Sequence, residues 1–403
     1  MSNLKNFFEN ILCIPLFLFS KLIPKDPKLW VFGAWFGHRY SDNPRYVFEY
    51  INDKEPEIRP VWISRDKRII QHLTSLGYEA YYLRSLKAFW ISCRTSAVFV
   101  TSGQWDVNLV GSFFALKVQL WHGIPLKKIK GDDTNSRFNR SSFLFHFFRS
   151  IWMKIFPFDS EKWDILITSG PEMTSRMDSA FNSFMGKNGE CIELGNPRAD
   201  KILAPPDPAV LKPFKQNNSV EKIICYAPTF RGNSSTLDLF NGLNIVLLDN
   251  LLKKWNAQLL IKLHFCDRER MISDNFPERV HFVIENELED INLLLPHVDV
   301  LITDYSSVFF DYLLLDRPIL FSAFDLDTYI SNERSLYEDY ENATPGKICL
   351  DWDNVISELD LIFQGNDNYH EQRIYHQKRF FKYLDQDNSQ RITNYIKERL
   401  SQK

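Results

Sequence analysis

The sequence predicts an α/β protein made of two doubly wound halves, each a parallel sheet with helices on both faces. Three observations carry that expectation. Short apolar runs alternate with segments of helical spacing along most of the chain. A stretch rich in Pro, Asn and Lys, APPDPAVLKPFKQNNSVEK, breaks the alternation near the middle, after which it restarts. A length of 403 residues with 44% hydrophobic side chains is enough to fill two cores.

The elements follow in order. Residues 1–27 form a segment of their own, with a continuous apolar run from Ile11 to Phe19. That run is shorter than the ~20 residues needed to span a bilayer. Pro15 interrupts it and no small-residue cleavage site follows, so a cleaved signal peptide is not expected. Two readings stay open: a helix packed on its own domain, or one lying in a membrane interface with Lys5, Lys21 and Lys25 at the headgroups. Residues 28–204 make the first α/β domain, with strands LWVFGAW, PVWISRD, EAYYL, SAVFVTS, KVQLWHG, DILITSG and CIELGN. Residues 205–368 make the second, with strands KIICYAPT, AQLLIKLH, VHFVIE, VDVLITD and PILFS and helices around 244–255, 287–295 and 306–315. The charged tail, 369–403, is expected as a helix packing across the domains. Two such halves joined by a linker place a ligand cleft between them, at the carboxyl ends of the strands.

Composition narrows the function. A formal charge of −3 argues against a general nucleic-acid binder. The six cysteines lie far apart with no CxxC pair, which fits reduced thiols and supports neither a zinc site nor a disulfide framework. Neither GxGxxG nor GxxxxGK[ST] occurs, so the common glycine-rich phosphate loops are absent.

Polar residues collect where strands end. His122 follows one strand, with Gly123 and Pro125 shaping the turn; Thr229 and Arg231 follow another; His264 follows a third; and Asp304, Ser306 and Ser307 follow a fourth. A lone histidine at a strand end is more often structural, but four polar strand ends on two domains point to a site. Arg231 offers a planar, permanently charged fork suited to phosphate oxygens. Ser306 and Ser307 open a helix whose free amides suit an anion, although the same serines also read as a plain helix cap. Two histidines, an arginine and a helix start suit a pyrophosphate better than a neutral ligand. The set supplies its own positive charge, so no metal and no cofactor are expected. The DLD at 325–327 matches a metal-binding pattern, but DWD and DQD also occur at 351–353 and 385–387, so it carries little weight. Lys127, Lys128 and Lys130 read either as a solvated face or as contacts for a polyanion or anionic lipid. The aromatic, basic stretch RFNRSSFLFHFFRSIWMKIFPF reads as a buried element or, slightly favoured, one against a membrane or lipid-linked acceptor.

At these residues the sequence resembles the CDP-glycerol glycerophosphotransferase family, the polymerases and primases of teichoic acids and related capsules. The likeness runs through YSDNPRYVFEYI, QLWHGIPLKKIKGD, ILITSG, LGNPRAD, YAPTFRG and LLIKLHF to the long block LITDYSSVFFDYLLLDRPILFSAFDLDTY. The resemblance implies a GT-B-like fold of two Rossmann-type domains with a CDP-alditol, CDP-glycerol or CDP-ribitol, in the cleft. It also implies peripheral attachment to the cytoplasmic face of the membrane, near a lipid-linked or oligomeric acceptor. The family's essential histidines correspond to His122 and His264, its arginine to Arg231, and its serines to Ser306 and Ser307. Phe265 replaces the proline frequent after the second histidine, and Gly195-Asn196-Pro197-Arg198 stands where GYPR is frequent, which keeps Arg198 among the expected substrate contacts. The implied reaction is attack by an acceptor hydroxyl on the β-phosphorus, expelling CMP. His122 is the favoured base, with His264, Arg231 and the Ser306–Ser307 helix start stabilising the pyrophosphate and the leaving CMP; the sequence leaves the two histidines exchangeable in these roles. Asp304 is expected to orient a histidine or hold its loop. A nucleotide-sugar glycosyltransferase of the same shape and a non-catalytic scaffold are the competing readings.

Overall fold

The computed structural model describes residues 2–136, 141–214, 220–229, 239–263, 276–284, 287–288, 290–332 and 335–402. His264, Arg231, Arg137 and Arg140 lie outside the described residues. The chain divides into two compact units, one of residues 1–122, 130–200 and 385–403, the other of 123–129 and 201–384.

The first unit is built on seven parallel strands: β1 (Asp26–Phe32), β2 (Arg59–Ser64), β3 (Ala80–Tyr82), β4 (Thr95–Val100), β5 (Leu116–Gln119), β6 (Trp163–Thr168) and β7 (Met185–Glu193). Their order is β3-β2-β1-β4-β5-β6-β7. Every residue of β4 is buried, as expected of a central strand covered on both faces. Phe32 and Phe99 stack across β1 and β4 with ring centroids 4.6 Å apart. Helix α2 (Asp42–Lys54) buries Val47, Phe48 and Ile51 on one face of this sheet. The tail expected as one helix is two, α13 (His370–Phe380) and α14 (Asn388–Ser401). Helix α14 returns to the first unit, where Ile392 and Ile396 join the same core at 0% exposure. Its free N-terminal amides are met by Asp200, whose carboxylate accepts from the backbone N–H of Asn388 at 2.9 Å and of Ser389 at 2.8 Å. Gly195, with φ of +89°, lets the chain pass where a Cβ would lie 1.7 Å from Asn388 Oδ1.

Helix α1 (Ser2–Leu22) has two distinct sides. One side packs on the first unit: the Phe17 ring lies 5.1–5.3 Å from those of Phe113, Phe114 and Phe158, and buried Ser20 donates to the Val110 carbonyl at 3.2 Å. The other side leaves Leu12, Leu16, Leu18, Phe19 and Leu22 exposed. Among the described residues no helix is long and apolar enough to cross a membrane.

The second unit holds six parallel strands: β8 (Lys222–Ala227), β9 (Ala257–Ile261), β10 (Val280–Phe282), β11 (Val300–Thr303), β12 (Ile319–Ser322) and β13 (Lys347–Cys349), in the order β10-β9-β8-β11-β12-β13. Helices α8 (Ile245–Lys254) and α12 (Trp352–Phe363) cover it with Leu248, Leu251, Leu252, Trp352 and Val355. Elsewhere in the unit, helix α9 (Val308–Tyr312) meets α13 through Phe310 and Phe380, 4.6 Å apart. Buried Arg373 is neutralised by Asp316 and Asp367. The helix expected at 287–295 is instead a pair of 3₁₀ turns, Ile291–Leu293 and Leu295–His297. Pro296 accounts for this, because it lacks an N–H and disfavours α geometry in the residue before it.

In both sheets the strand order reverses beside the first strand, between β1 and β4 and between β8 and β11. In doubly wound sheets such reversals, at the carboxyl ends of the strands, are where ligands bind. Replacing Ile392 with Ala removes a fully buried side chain and should cost about 2–4 kcal/mol. Urea denaturation should show an earlier midpoint of the transition that reports the first unit.

Candidate active site

The candidate residues fall into two groups, one at the carboxyl edge of each sheet. In the first unit the backbone itself marks the place. Among the described residues of the whole chain seven non-glycine residues have positive φ, and four of them, Trp35 (49°), Phe36 (57°), Asp42 (66°) and Trp121 (54°), belong to this edge. Such conformations cost energy, and they concentrate where a loop must aim a side chain. Gly123 adopts φ of 152° immediately after His122, a turn that a side chain would resist.

His122 sits just beyond β5, half-buried among aromatic rings. Its imidazole stacks on Trp121 at 4.2 Å and packs against Trp35 at 5.0 Å. Its Nδ1 meets the Thr101 carbonyl at 3.3 Å. A carbonyl can only accept, so this contact selects the tautomer with the proton on Nδ1 and leaves Nε2 as a base. Burial pushes the imidazole down to about 4; the positive charges of Arg198 and Lys130 add to that, and the Thr101 carbonyl opposes it. At neutral pH the ring is therefore uncharged and able to take a proton.

The loops around it are held from beneath. Asp106 is fully buried, and its carboxylate accepts from the backbone N–H groups of Phe36 at 2.6 Å, Thr101 at 2.8 Å and Ser102 at 2.9 Å. Buried Asn43 donates to the carbonyls of Leu120 and Trp121, both at 3.0 Å, and accepts from the backbone N–H of Arg198 at 3.1 Å. Arg198, expected among the substrate contacts, has its guanidinium buried and paired with Asp42 at 3.3 Å. Its charge acts on His122 from within the protein.

In the second unit the edge is organised by Asp304, which is wholly buried. Its Oδ1 accepts from the backbone N–H of Thr229 at 2.7 Å and of Tyr305 at 2.6 Å, tying the loop after β8 to the loop after β11. Tyr340 donates to the Asp304 carbonyl at 3.0 Å, and Tyr305 stacks on Tyr329 at 3.6 Å while donating to Asp325 at 3.0 Å. On this platform Ser306 and Ser307 are half-buried. Ser306 Oγ accepts weakly from Val308 N–H at 3.4 Å, and Ser307 makes no side-chain cap. Thr229 Oγ1 is buried with no hydrogen-bond partner among the described residues. The helix expected at 306–315 is shorter, α9 followed by a 3₁₀ turn at Leu313–Leu315. Its dipole is correspondingly small, so hydroxyls and amides, more than the dipole, make this edge suited to an anion.

Two of the lysines after His122 are engaged. Lys127 lies 5.0 Å over the Tyr329 ring and bridges to Leu336, while Lys130 pairs with Glu161 at 2.9 Å. Asp325 of the DLD is engaged by Tyr305. The sequence gives unequal signals for the supporting residues: Asn43 lies in the motif YSDNPRYVFEYI, whereas Asp106 is an isolated acid that carries no pattern.

The family model of CDP-glycerol:poly(glycerophosphate) glycerophosphotransferases matches residues 16–398. The chain is 31% identical over 349 residues to the teichoic acid poly(glycerol phosphate) polymerase of Bacillus spizizenii, an alignment covering 84% of each protein. It is 28% identical over 404 residues to the teichoic acid glycerol-phosphate transferase of Staphylococcus aureus, covering 98% of this chain and 99% of that one. Among solved structures, the wall teichoic acid polymerase TagF superposes with a TM-score of 0.74 at 24% identity, over 100% of this chain and 96% of that one. At that identity the likeness is one of fold.

Histidine ¹H–¹⁵N correlation spectra should show His122 neutral, protonated at Nδ1, and titrating near pH 4. Because the unfolded imidazole takes up its proton at ~6.5, the unfolded state binds more protons between those values, and acidification through that window should lower stability.

Proposed function

The chain belongs to the CDP-glycerol:poly(glycerophosphate) glycerophosphotransferase family, and from that premise we propose that it transfers glycerol phosphate from CDP-glycerol to a hydroxyl of a teichoic acid chain, releasing CMP. Each unit is read as a Rossmann-type domain, and the pair as GT-B-like, because both sheets reverse their strand order in the same way. The observation that carries the reaction is the neutral imidazole of His122, with Nδ1 turned to a carbonyl and Nε2 left basic.

The acceptor oxygen attacks the β-phosphorus of the donor. A new P–O bond forms, the bond from that phosphorus to the bridging oxygen breaks, and CMP leaves with the electron pair. The hydroxyl proton passes to His122 Nε2. A base held near 4 is weak, but a bound diphosphate brings negative charge to the site and raises its proton affinity when the transfer occurs. Catalysis of this kind rests on positioning and charge neutralisation. Thr229, Ser306 and Ser307 are assigned to donor phosphate oxygens, with Asp304 holding their loops together. His264 and Arg231 keep the role expected from the sequence, neutralising the diphosphate and the leaving CMP. The charge of Arg198 adds to the burial that keeps His122 neutral.

The acceptor is inferred to be lipid-linked and the protein to sit peripherally on the cytoplasmic face of the membrane. The support is an apolar surface on the first unit. Helix α5 (Phe143–Ile155) exposes Phe143, Leu144, Phe145, Phe147, Phe148 and Ile151, and Asp159 ties it to α1 by accepting from Trp152 at 2.7 Å and Asn10 at 3.5 Å. Monomeric soluble proteins rarely leave so contiguous an apolar patch in water.

Two measurements test these readings. A donor panel of CDP-glycerol, CDP-ribitol and UDP-sugars, read by nucleotide release, should show turnover with CDP-glycerol, and His122→Ala should slow it roughly 10²–10⁴-fold. Full turnover by that variant would remove His122 from the chemistry. In flotation with anionic phospholipid vesicles, replacing Phe147 and Phe148 together with Ser should reduce bound protein by about tenfold or more, since each phenylalanine contributes about 2 kcal/mol of burial.

A further inference from the structure

His122 owes its tautomer to one carbonyl and its orientation to the rings of Trp35 and Trp121, and two of these three neighbours converge on a single buried group. Asp106 Oδ2 accepts from Thr101 N–H at 2.8 Å, Ser102 N–H at 2.9 Å and the Thr101 hydroxyl at 3.3 Å. This fixes the peptide of Thr101, whose carbonyl faces His122 Nδ1 at 3.3 Å. Asp106 Oδ1 accepts from Phe36 N–H at 2.6 Å, and Thr101 Oγ1 accepts from Trp35 N–H at 3.1 Å. These bonds hold Trp35 and Phe36 in their left-handed conformations, which keeps the indole 5.0 Å from the imidazole. A Cβ on Gly33 would lie 2.3 Å from the Asp106 carbonyl oxygen, so the loop is also pressed directly onto the end of β1.

We propose that Asp106 is the positioning residue for His122, fixing through Thr101 and Trp35 both the tautomer and the orientation of the imidazole. The proposal rests on the reading of His122 as the base. Burial raises the Asp106 carboxyl to about 6 against the pull of the backbone amides around it, so it is ionised at neutral pH. An asparagine keeps the shape but has only one acceptor atom. With its oxygen towards Thr101 and Ser102, its NH₂ meets the Phe36 N–H, donor against donor, and the Trp35–Phe36 turn is released.

The test is a double-mutant cycle of Asp106→Asn with His122→Ala on the full chain, followed by CMP release. Asp106→Asn alone should lower kcat about 10- to 100-fold with the KM for CDP-glycerol changed less than about threefold, as a displaced general base would. On the His122→Ala background the same substitution should cost less than about twofold, because there is no imidazole left to place. A purely structural role predicts the same fold loss on both backgrounds, and that result would overturn the proposal. So would a kcat for Asp106→Asn within twofold of the parent when His122→Ala is inactive. Full activity of His122→Ala would instead overturn the premise, and the proposal with it. Should Asp106→Asn not fold, Thr101→Val replaces it: the side chain is isosteric and removes only the hydroxyl that links Trp35 to Asp106. Its kcat should fall about three- to tenfold on the parent and not at all on His122→Ala; equal losses would again count against the proposal.

Discussion

A parallel sheet covered on both faces can meet solvent only at its ends. The central strands of the two sheets spend their length on burial, and the chain must turn at each carboxyl end with amides and carbonyls left over. In this protein those leftover groups are satisfied by buried carboxylates and amides: Asp106 and Asn43 in the first unit, Asp304 in the second. Each takes or gives hydrogen bonds to backbone groups of more than one loop. The functional side chains are thereby held on loops whose backbone is as fixed as the sheet beneath them.

The two edges solve this problem with different chemistry. Around His122 the partners are rings and a carbonyl, which together keep an imidazole uncharged. Around Ser306 the partners are stacked tyrosines and an acid buried below the loop, leaving hydroxyls and amides towards the open side. In the proposed reaction the first edge accepts the proton and the second faces the anion. That division suits phosphodiester formation, in which a hydroxyl loses a proton while a diphosphate gains charge on its leaving oxygen.

The sequence made the strands legible because parallel strands buried on both faces are continuous apolar runs, and KIICYAPT or SAVFVTS cannot be mistaken for a surface segment. The strand-end residues were legible for the complementary reason: His122 and Asp304 are polar where an apolar run stops. What escaped had no such contrast. Strand β13 is three residues long, too short to show a period. The turns at 291–297 carry helical spacing, but a single proline decides their geometry. Asp106 lies outside any motif, and its importance arises from backbone amides brought to it by two separate stretches of chain.

The way the first unit is threaded has a consequence for its birth on the ribosome. Helix α14 is translated after all of the second unit, yet it supplies Ile392 and Ile396 to the core that α2 shares. Until those residues emerge, α2 has an uncovered apolar flank, and the first turn of α2 carries Asn43, the clamp on the peptide before His122. A nascent chain can therefore finish its later-made half first. Until α14 is in place, the helix that carries the clamp on the peptide before His122 lacks part of its packing.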